Sequence, residues 1–254
     1  MHTNLTKQKL TAGHTVLGCF SRYADAGLIE FLGYQGWDFL VLDAEHGSLE
    51  PRDCENLVRA CELRGVTPIV RVTTNQPPVI LRYMDIGAHG AQIPFINTLD
   101  DAVQAVRSLK FHPLGNRGLA GTRAAHYAQG ITFTEHCLQS NRETLLVAQI
   151  ETEPAIKHLA EITKLDGVDV IFIGPNDLSH SLGLPGQIQH PLVQDAMKRI
   201  ADIVLPSGKA LGLMATSVEN AREWQLRGAR YLTVTIESIL GPAVRRFIDE
   251  FRKP

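Results

Sequence analysis

Residues 144–177 read TLLVAQIETEPAIKHLAEITKLDGVDVIFIGPND. Two short apolar runs frame an amphipathic segment that stops at Gly167. Continuous rather than alternating runs are the pattern of strands buried on both faces. The segment between them has the length and glycine stop of a helix. Each run is followed by an acid, Glu151 after the first and Asp177 after the second. A parallel barrel gathers its strand ends around one mouth, so neighbouring strands would bring both carboxylates there. Two hard oxygen ligands with room for water and substrate suit a Mg²⁺-type site.

The same rhythm extends in both directions. Further strands are expected at Thr15–Phe20, Trp37–Asp43, Thr67–Val72, Gly90–Ile93, Lys209–Leu213 and Arg230–Val234. With Thr144–Ile150 and Val168–Ile173 they make eight. Helices are expected at Asp25–Gln35, Pro51–Arg64, Pro77–Ile86, Leu99–Leu109, Glu153–Lys164, Pro191–Leu205, Val218–Arg227 and Ala243–Phe251. Glycines 36, 65, 87, 167, 208 and 228 each precede a strand, where a helix stop belongs. Eight βα units in 254 residues predict a (β/α)8 TIM barrel, one domain over residues 1–254. A doubly wound open sheet is the alternative, but no GxGxxG follows an early strand, which argues against a nucleotide cofactor of that kind.

Composition narrows the function. The chain carries 25 basic and 27 acidic residues, a formal charge of −2, with no basic stripe. Nucleic acid and anionic membrane are therefore poor partners. The N-terminal residues lack an export-type apolar core, and no stretch reaches about 18 apolar residues. A cytoplasmic enzyme is expected. Cys19, Cys54, Cys61 and Cys137 form no CxxC pair and read as buried free thiols.

One stretch breaks the rhythm: HPLGNRGLAGTRAAHYAQG, residues 112–130, is long and glycine-rich. Loops of this length tend to be functional or disordered. It follows a helix, so it starts on the face opposite the strand ends. A role in the chemistry would require it to wrap the barrel edge or reach another subunit.

Chemistry in such barrels sits at the C-terminal ends of the strands. Those ends offer Asp43-Ala-Glu45-His46-Gly47, Arg71, Gln92, Gln149 with Glu151, and Gly174-Pro175-Asn176-Asp177. Structural alternatives exist: Glu151 as a helix cap, Asp177 as a turn residue, Arg71 in an ion pair, His46 on an exposed loop, Asp85 on a solvated helix face. None of the eight lysines falls at a strand's C-terminal end, which disfavours a Schiff base and leaves metal-based electrophilic catalysis. A G-x-S-x-G elbow is also missing.

DFLVLDAEHG, PIVRV, MDIGAHGAQIP, GNRGLAGTRAAHY, QIET and FIGPNDLSHSLGLPG together resemble the HpcH/HpaI aldolase family, from about residue 15 to residue 240. The resemblance implies a class II aldolase that cleaves 4-hydroxy-2-oxo acids reversibly to pyruvate and an aldehyde. It implies a divalent cation (Mg²⁺, Mn²⁺ or Co²⁺) held by Glu151 and Asp177. Arg71 would contact the keto oxygen, and His46 with Asp85 would form a dyad moving the substrate hydroxyl proton. Asp43, Gln149, Gly174, Pro175 and Asn176 would line the pyruvate pocket. Many family members carry alanine where Asn176 stands, so the pocket wall is more polar here. The resemblance also implies a hexamer built as a trimer of dimers that exchange C-terminal helices. From its topology, the loop at residues 112–130 is expected to complete an adjacent site, with Arg117 or Arg123 reaching an acidic aldehyde. The other readings are a related C–C lyase on the same site (an oxaloacetate decarboxylase or CoA-ester lyase) and a non-catalytic metabolite-binding barrel.

Overall fold

In the computed structural model, which describes residues 3–253, eight parallel strands close into a barrel in chain order. They are β1 (Val16–Ser21), β2 (Phe39–Asp43), β3 (Thr67–Arg71), β4 (Gly90–Ile93), β5 (Leu145–Ile150), β6 (Val170–Ile173), β7 (Ala210–Met214) and β8 (Tyr231–Thr235). β8 pairs with β1, with Val16 opposite Tyr231, and closes the ring. The expected (β/α)8 TIM barrel is the architecture found.

Alternate strand residues face inward. Val16, Phe20, Phe39, Val41, Ile69, Val147, Val170, Phe172 and Tyr231 fill the lumen as one buried cluster. Phe39 stacks on Tyr231 with ring centroids 4.2 Å apart. That pair fits because residue 18 is glycine: a Cβ there would lie 2.2 Å from the Phe39 ring. The other strand faces meet the helices in a second, larger core.

The helices are α1 (Leu5–Thr11), α2 (Ala26–Gly33), α3 (Pro51–Leu63), α4 (Pro77–Asp85), α5 (Leu99–Leu109), α6 (Phe133–Glu143), α7 (Glu153–Ile162), α8 (Pro175–Ser181), α9 (Pro191–Val204), α10 (Val218–Leu226) and α11 (Ile236–Phe251). Three of these go beyond the helices expected from sequence. α1 closes the bottom of the barrel: Thr6 Oγ1 donates to the Asp38 carbonyl (3.0 Å), Lys7 pairs with Asp169 (3.0 Å), and Leu10 joins the lumen cluster. α6 begins with a reciprocal capping box between Thr132 and Glu135, a T-x-x-E signal visible in the chain. α8 is a short helix directly after β6.

The C-terminal helix is expected over Ala243–Phe251. It starts at Ile236 and runs through Pro242. Cys19, Cys54 and Cys61 are buried free thiols, while Cys137 is only partly buried. Burial pushes the Cys54 thiol up to about 12. Among the described residues no helix is long and apolar enough to cross a membrane.

Candidate active site

The register of three adjacent strands builds one wall of the barrel mouth. Asp43 on β2 pairs with Arg71 on β3, and Arg71 pairs with Gln92 on β4. Asp43 and Arg71 follow the inward Val41 and Ile69 at a spacing of two, and Gln92 follows Gly90 in the same way, so their side chains enter the lumen above its apolar floor. Arg71 donates through Nε to Asp43 Oδ1 (2.9 Å) and through Nη2 to Asp43 Oδ2 (2.6 Å). Its Nη1 lies 3.3 Å from Glu45 Oε2, and the guanidinium stands over the Phe20 ring at 5.0 Å. Asp43 Oδ1 also accepts from the amides of Glu45 (3.2 Å) and His46 (3.3 Å), which fixes the turn leaving β2.

The facing wall comes from β5 and β6. Gln92 donates to Gln149 Oε1 (2.5 Å), and Gln149 Nε2 donates to Glu151 Oε2. Glu151 Oε1 accepts from the amide of Phe95 at 2.8 Å. Phe95 holds φ at 52°, a conformation that is uncommon outside glycine and tends to be kept where the surroundings require it. Gly174 allows β6 to pass close by, because a Cβ there would lie 2.6 Å from Glu151 Oε2. Pro175 opens α8, and Asp177 sits in its acidic first turn.

A cavity of about 360 Å³ lies between these walls. Its lining contains Asp43, His46, Arg71, Gln149, Gly174, Pro175, Asn176 and Asp177 together with Phe20, Arg22, Phe172, Met214, Thr235 and Glu237, and no lysine. Glu151 itself is almost fully buried beneath it. Burial raises its carboxyl above the ordinary range, hydrogen bonds from Gln149 and Phe95 oppose this, and Asp177 adds to it. Burial likewise pushes Glu45 up to about 7, against the pull of Arg71 and with the repulsion of Glu151, Asp43 and Asp177. Asp43 goes the other way: burial opposes its ionisation, but the Arg71 hydrogen bonds and charge hold it below the usual value.

Asp43, Glu45, Glu151 and Asp177 thus share this part of the mouth with the single buried guanidinium of Arg71, a surplus of negative charge that suits a divalent cation. Among the described residues no three His, Cys, Asp or Glu side chains converge tightly enough to hold an ion alone. Glu151 and Asp177 fit the group as two protein ligands, with the remaining positions left to water and substrate oxygens.

Asp85 is placed elsewhere. It ends α4, whose direction after β3 carries it to the barrel's bottom, and it accepts from Arg117 Nη2 at 2.6 Å. His46 stays on the top loop, largely exposed, with Nε2 3.9 Å from Glu45. One chain therefore does not join His46 to Asp85. Arg117 is buried against Asp85 and over Phe111, and Arg123 is bound to Glu62 and the Ile86 carbonyl. Both loop arginines are engaged within their own chain.

The HpcH/HpaI aldolase/citrate lyase family profile matches residues 16–240. The chain belongs to this family. A 5-keto-4-deoxy-D-glucarate aldolase of Enterobacter sp. (strain 638) is 35% identical, with 98% of this chain and 97% of the relative covered. An HpcH/HpaI aldolase/citrate lyase family protein of Burkholderia cenocepacia J2315 is 33% identical, with a TM-score of 0.93 over 99% of this chain and 100% of its own. The HpcH/HpaI aldolase of Desulfitobacterium hafniense DCB-2 has a TM-score of 0.92 at 27% identity, over 100% of this chain and 98% of its own. This HpcH/HpaI family member is a carbon–carbon lyase of the aldolase type.

In this family member, the sequence reading assigns no role to Glu45 or Gln92, and the structure brings both to the barrel mouth. The i, i+2 parity that joined Gln149 to Glu151 also joins Asp43 to Glu45, so that signal was present. Thr235 is the last residue of β8, whereas Arg22 and Glu237 lie past the ends of β1 and β8, where side-chain direction is not defined by the strand pattern.

Proposed function

We propose that this chain is a divalent-metal-dependent class II aldolase that cleaves a 4-hydroxy-2-oxo acid reversibly to pyruvate and an aldehyde. The observation that carries the reading is the meeting of two carboxylates, Glu151 buried and Asp177 half-buried, with the Arg71 guanidinium across one cavity. Glu151 and Asp177 would hold the cation, which supplies Lewis-acid polarisation of the keto group when bound. Asp43 fixes one edge of Arg71, and the guanidinium, flanked by Glu45 on its other side, would stand at the cavity where negative charge develops on the keto oxygen.

In the cleavage direction His46 accepts the proton of the C4 hydroxyl. The C3–C4 bond then breaks, its electrons pass into the enolate of the pyruvate fragment, and the aldehyde is released. Protonation at C3 completes pyruvate. Gln149 is held by Gln92 and Glu151, so its amide is oriented at the pyruvate end. Gly174 and Pro175 border that end without bulk, and Asn176 makes its wall polar. A His46–Asp85 dyad then requires Asp85 of the partner subunit, in keeping with a hexamer built from dimers. The relatives named for 5-keto-4-deoxy-D-glucarate act on a 2-oxo acid, which accords with pyruvate as the donor fragment.

The test is exchange of pyruvate methyl protons for deuterium, followed by NMR, together with aldol formation on adding a short aldehyde. Both activities are expected to vanish with EDTA and return with Mg²⁺, Mn²⁺ or Co²⁺. Full activity after exhaustive chelation would overturn the proposal.

A further inference from the structure

The pyruvate end of the cavity lies between β3 and β6. The opposite rim is built by the ends of β1 and β8, and it carries a second cation. Arg22, the residue after β1, lines the cavity with Thr235 and Glu237. Its Nε and Nη2 both donate to Glu237 Oε1, at 3.2 and 2.8 Å.

Its position relative to His46 is defined by packing. Gly47 follows His46, and a Cβ on Gly47 would lie 3.2 Å from Arg22 Cβ and 3.5 Å from its Cγ. The arginine stem therefore leans on the His46 loop, beside the group assigned to the hydroxyl of the bond being cleaved. That side of the cavity belongs to the aldehyde half. The two cavity arginines differ in availability. Arg71 is enclosed by Asp43 and Glu45, whereas the Arg22 side chain is 45% exposed and its partner Glu237 32% exposed. Exposed pairs of this kind are weak and exchangeable. Both bonds to Glu237 fall on one carboxylate oxygen, which leaves the Nη1 donors of the fork uncommitted.

We infer that Arg22 is a specificity-determining residue that binds a carboxylate on the far end of the aldehyde half. The inference rests on the aldolase reading above. An incoming carboxylate meets a planar fork beside the His46 loop and pairs with it through two oxygens. A neutral chain end gains nothing from displacing Glu237. Recognition is thereby coupled to the first turn of α11, where Glu237 sits.

The experiment compares kcat/KM, with pyruvate as donor, for succinic semialdehyde and for butanal, in the wild type, Arg22→Gln and Arg22→Lys. The wild type is expected to prefer the anionic aldehyde by about tenfold or more. Arg22→Gln should bring that ratio to within about twofold of unity, and Arg22→Lys should retain part of it, since lysine keeps the charge but not the fork. A ratio in Arg22→Gln equal to that of the wild type overturns the inference, as does a wild type without preference. Pyruvate deuterium exchange needs no aldehyde and is measured on the same wild-type preparation. Its absence overturns the aldolase reading and this inference with it. Exchange with an unmoved ratio overturns the Arg22 assignment alone.

Discussion

Asp43 grips Arg71 along one edge, with Nε at 2.9 Å from one carboxylate oxygen and Nη2 at 2.6 Å from the other. Both residues are nearly inaccessible, so the pair is charge-assisted and little screened. This fork-to-fork geometry sets the guanidinium plane where Arg71 lines the cavity, with Nη1 3.3 Å from Glu45 Oε2. Lysine can supply the charge but not the plane. Arg71→Lys is therefore expected to lose about 10²–10³-fold in kcat for aldol cleavage, the cost of one preorganised donor at a developing oxyanion. Steady-state kinetics on the preferred 4-hydroxy-2-oxo acid read this out, and a variant within about threefold of wild type would remove Arg71 from the enolate oxygen.

The carboxylate pair makes a separate prediction. Glu151 carries a carboxyl raised chiefly by burial and further by Asp177. Removing either acid relieves that repulsion, so the fold should tolerate Glu151→Gln or Asp177→Asn while cation affinity falls. Calorimetric titration with Mn²⁺ should show binding in the wild type and none in either variant up to millimolar ion. Circular dichroism should be superimposable for all three. Retained Mn²⁺ affinity in both variants would exclude these residues as ligands.

On the proposed mechanism, His46 divides aldol chemistry from decarboxylation. A hydroxyl proton must be removed in retro-aldol cleavage, but oxaloacetate loses CO₂ to the same pyruvate enolate without a hydroxyl base. His46→Ala should lower aldol cleavage by about 10²–10⁴-fold, the span of general-base catalysis, and lower oxaloacetate decarboxylation far less. Equal losses in both reactions would show that His46 shapes the site rather than moving the proton.

The barrel was legible in the sequence because its strands are continuous apolar runs with glycine stops, a pattern set by burial on both faces. The placing of Glu151 and Asp177 at one mouth was legible for a related reason: strand ends converge, parity turns Glu151 inward after β5, and Asp177 follows β6 directly in the first turn of α8. Asp85 was assigned through resemblance alone, and its place at the bottom of α4 follows from helix direction, which pattern reading did not apply. The residues 112–130 looked unanchored because their anchors are long-range: Arg117 to Asp85 and Arg123 to Glu62. α1 is too short to show a clear periodic signal, and α11 begins ahead of the expected Ala243 because it runs through Pro242, a residue that ordinarily ends or kinks a helix.

Lys110 gives the fold a pH dependence of defined sign. It is buried, and its Nζ donates to the carbonyls of Asn141 (2.9 Å) and Thr144 (2.7 Å). Burial, with the nearby Lys7 charge, lowers it from 10.5 to about 7. Between those values the unfolded chain binds more protons than the folded one, so stability rises with pH across that window. It is lost again as pH falls towards 7, where the folded protein must carry the buried charge. Lys110→Met removes this contribution, which is on the order of several kcal/mol. Thermal melts of wild type and variant should therefore diverge in favour of the wild type between pH 7 and 10. Parallel curves would show that Lys110 keeps an ordinary proton affinity.

The exposed face of α11 yields the last prediction. Ile239, Leu240, Val244, Phe247 and Phe251 are all accessible, with Phe247 at 75% and Phe251 at 82%. Apolar surface concentrated on one helix is the mark of an association site, in keeping with the proposed exchange of C-terminal helices. Burying a phenylalanine contributes about 1.5–3 kcal/mol, so Phe247→Glu with Phe251→Glu removes enough to weaken association by several orders of magnitude. Light scattering should give a multiple of the chain mass for the wild type and a smaller species for the double variant. Glu237 lies in the first turn of the same helix and lines the cavity. Dissociation should therefore also lower catalysis, although neither phenylalanine lines the site. A wild-type monomer with full activity would refute both the assembly and this coupling.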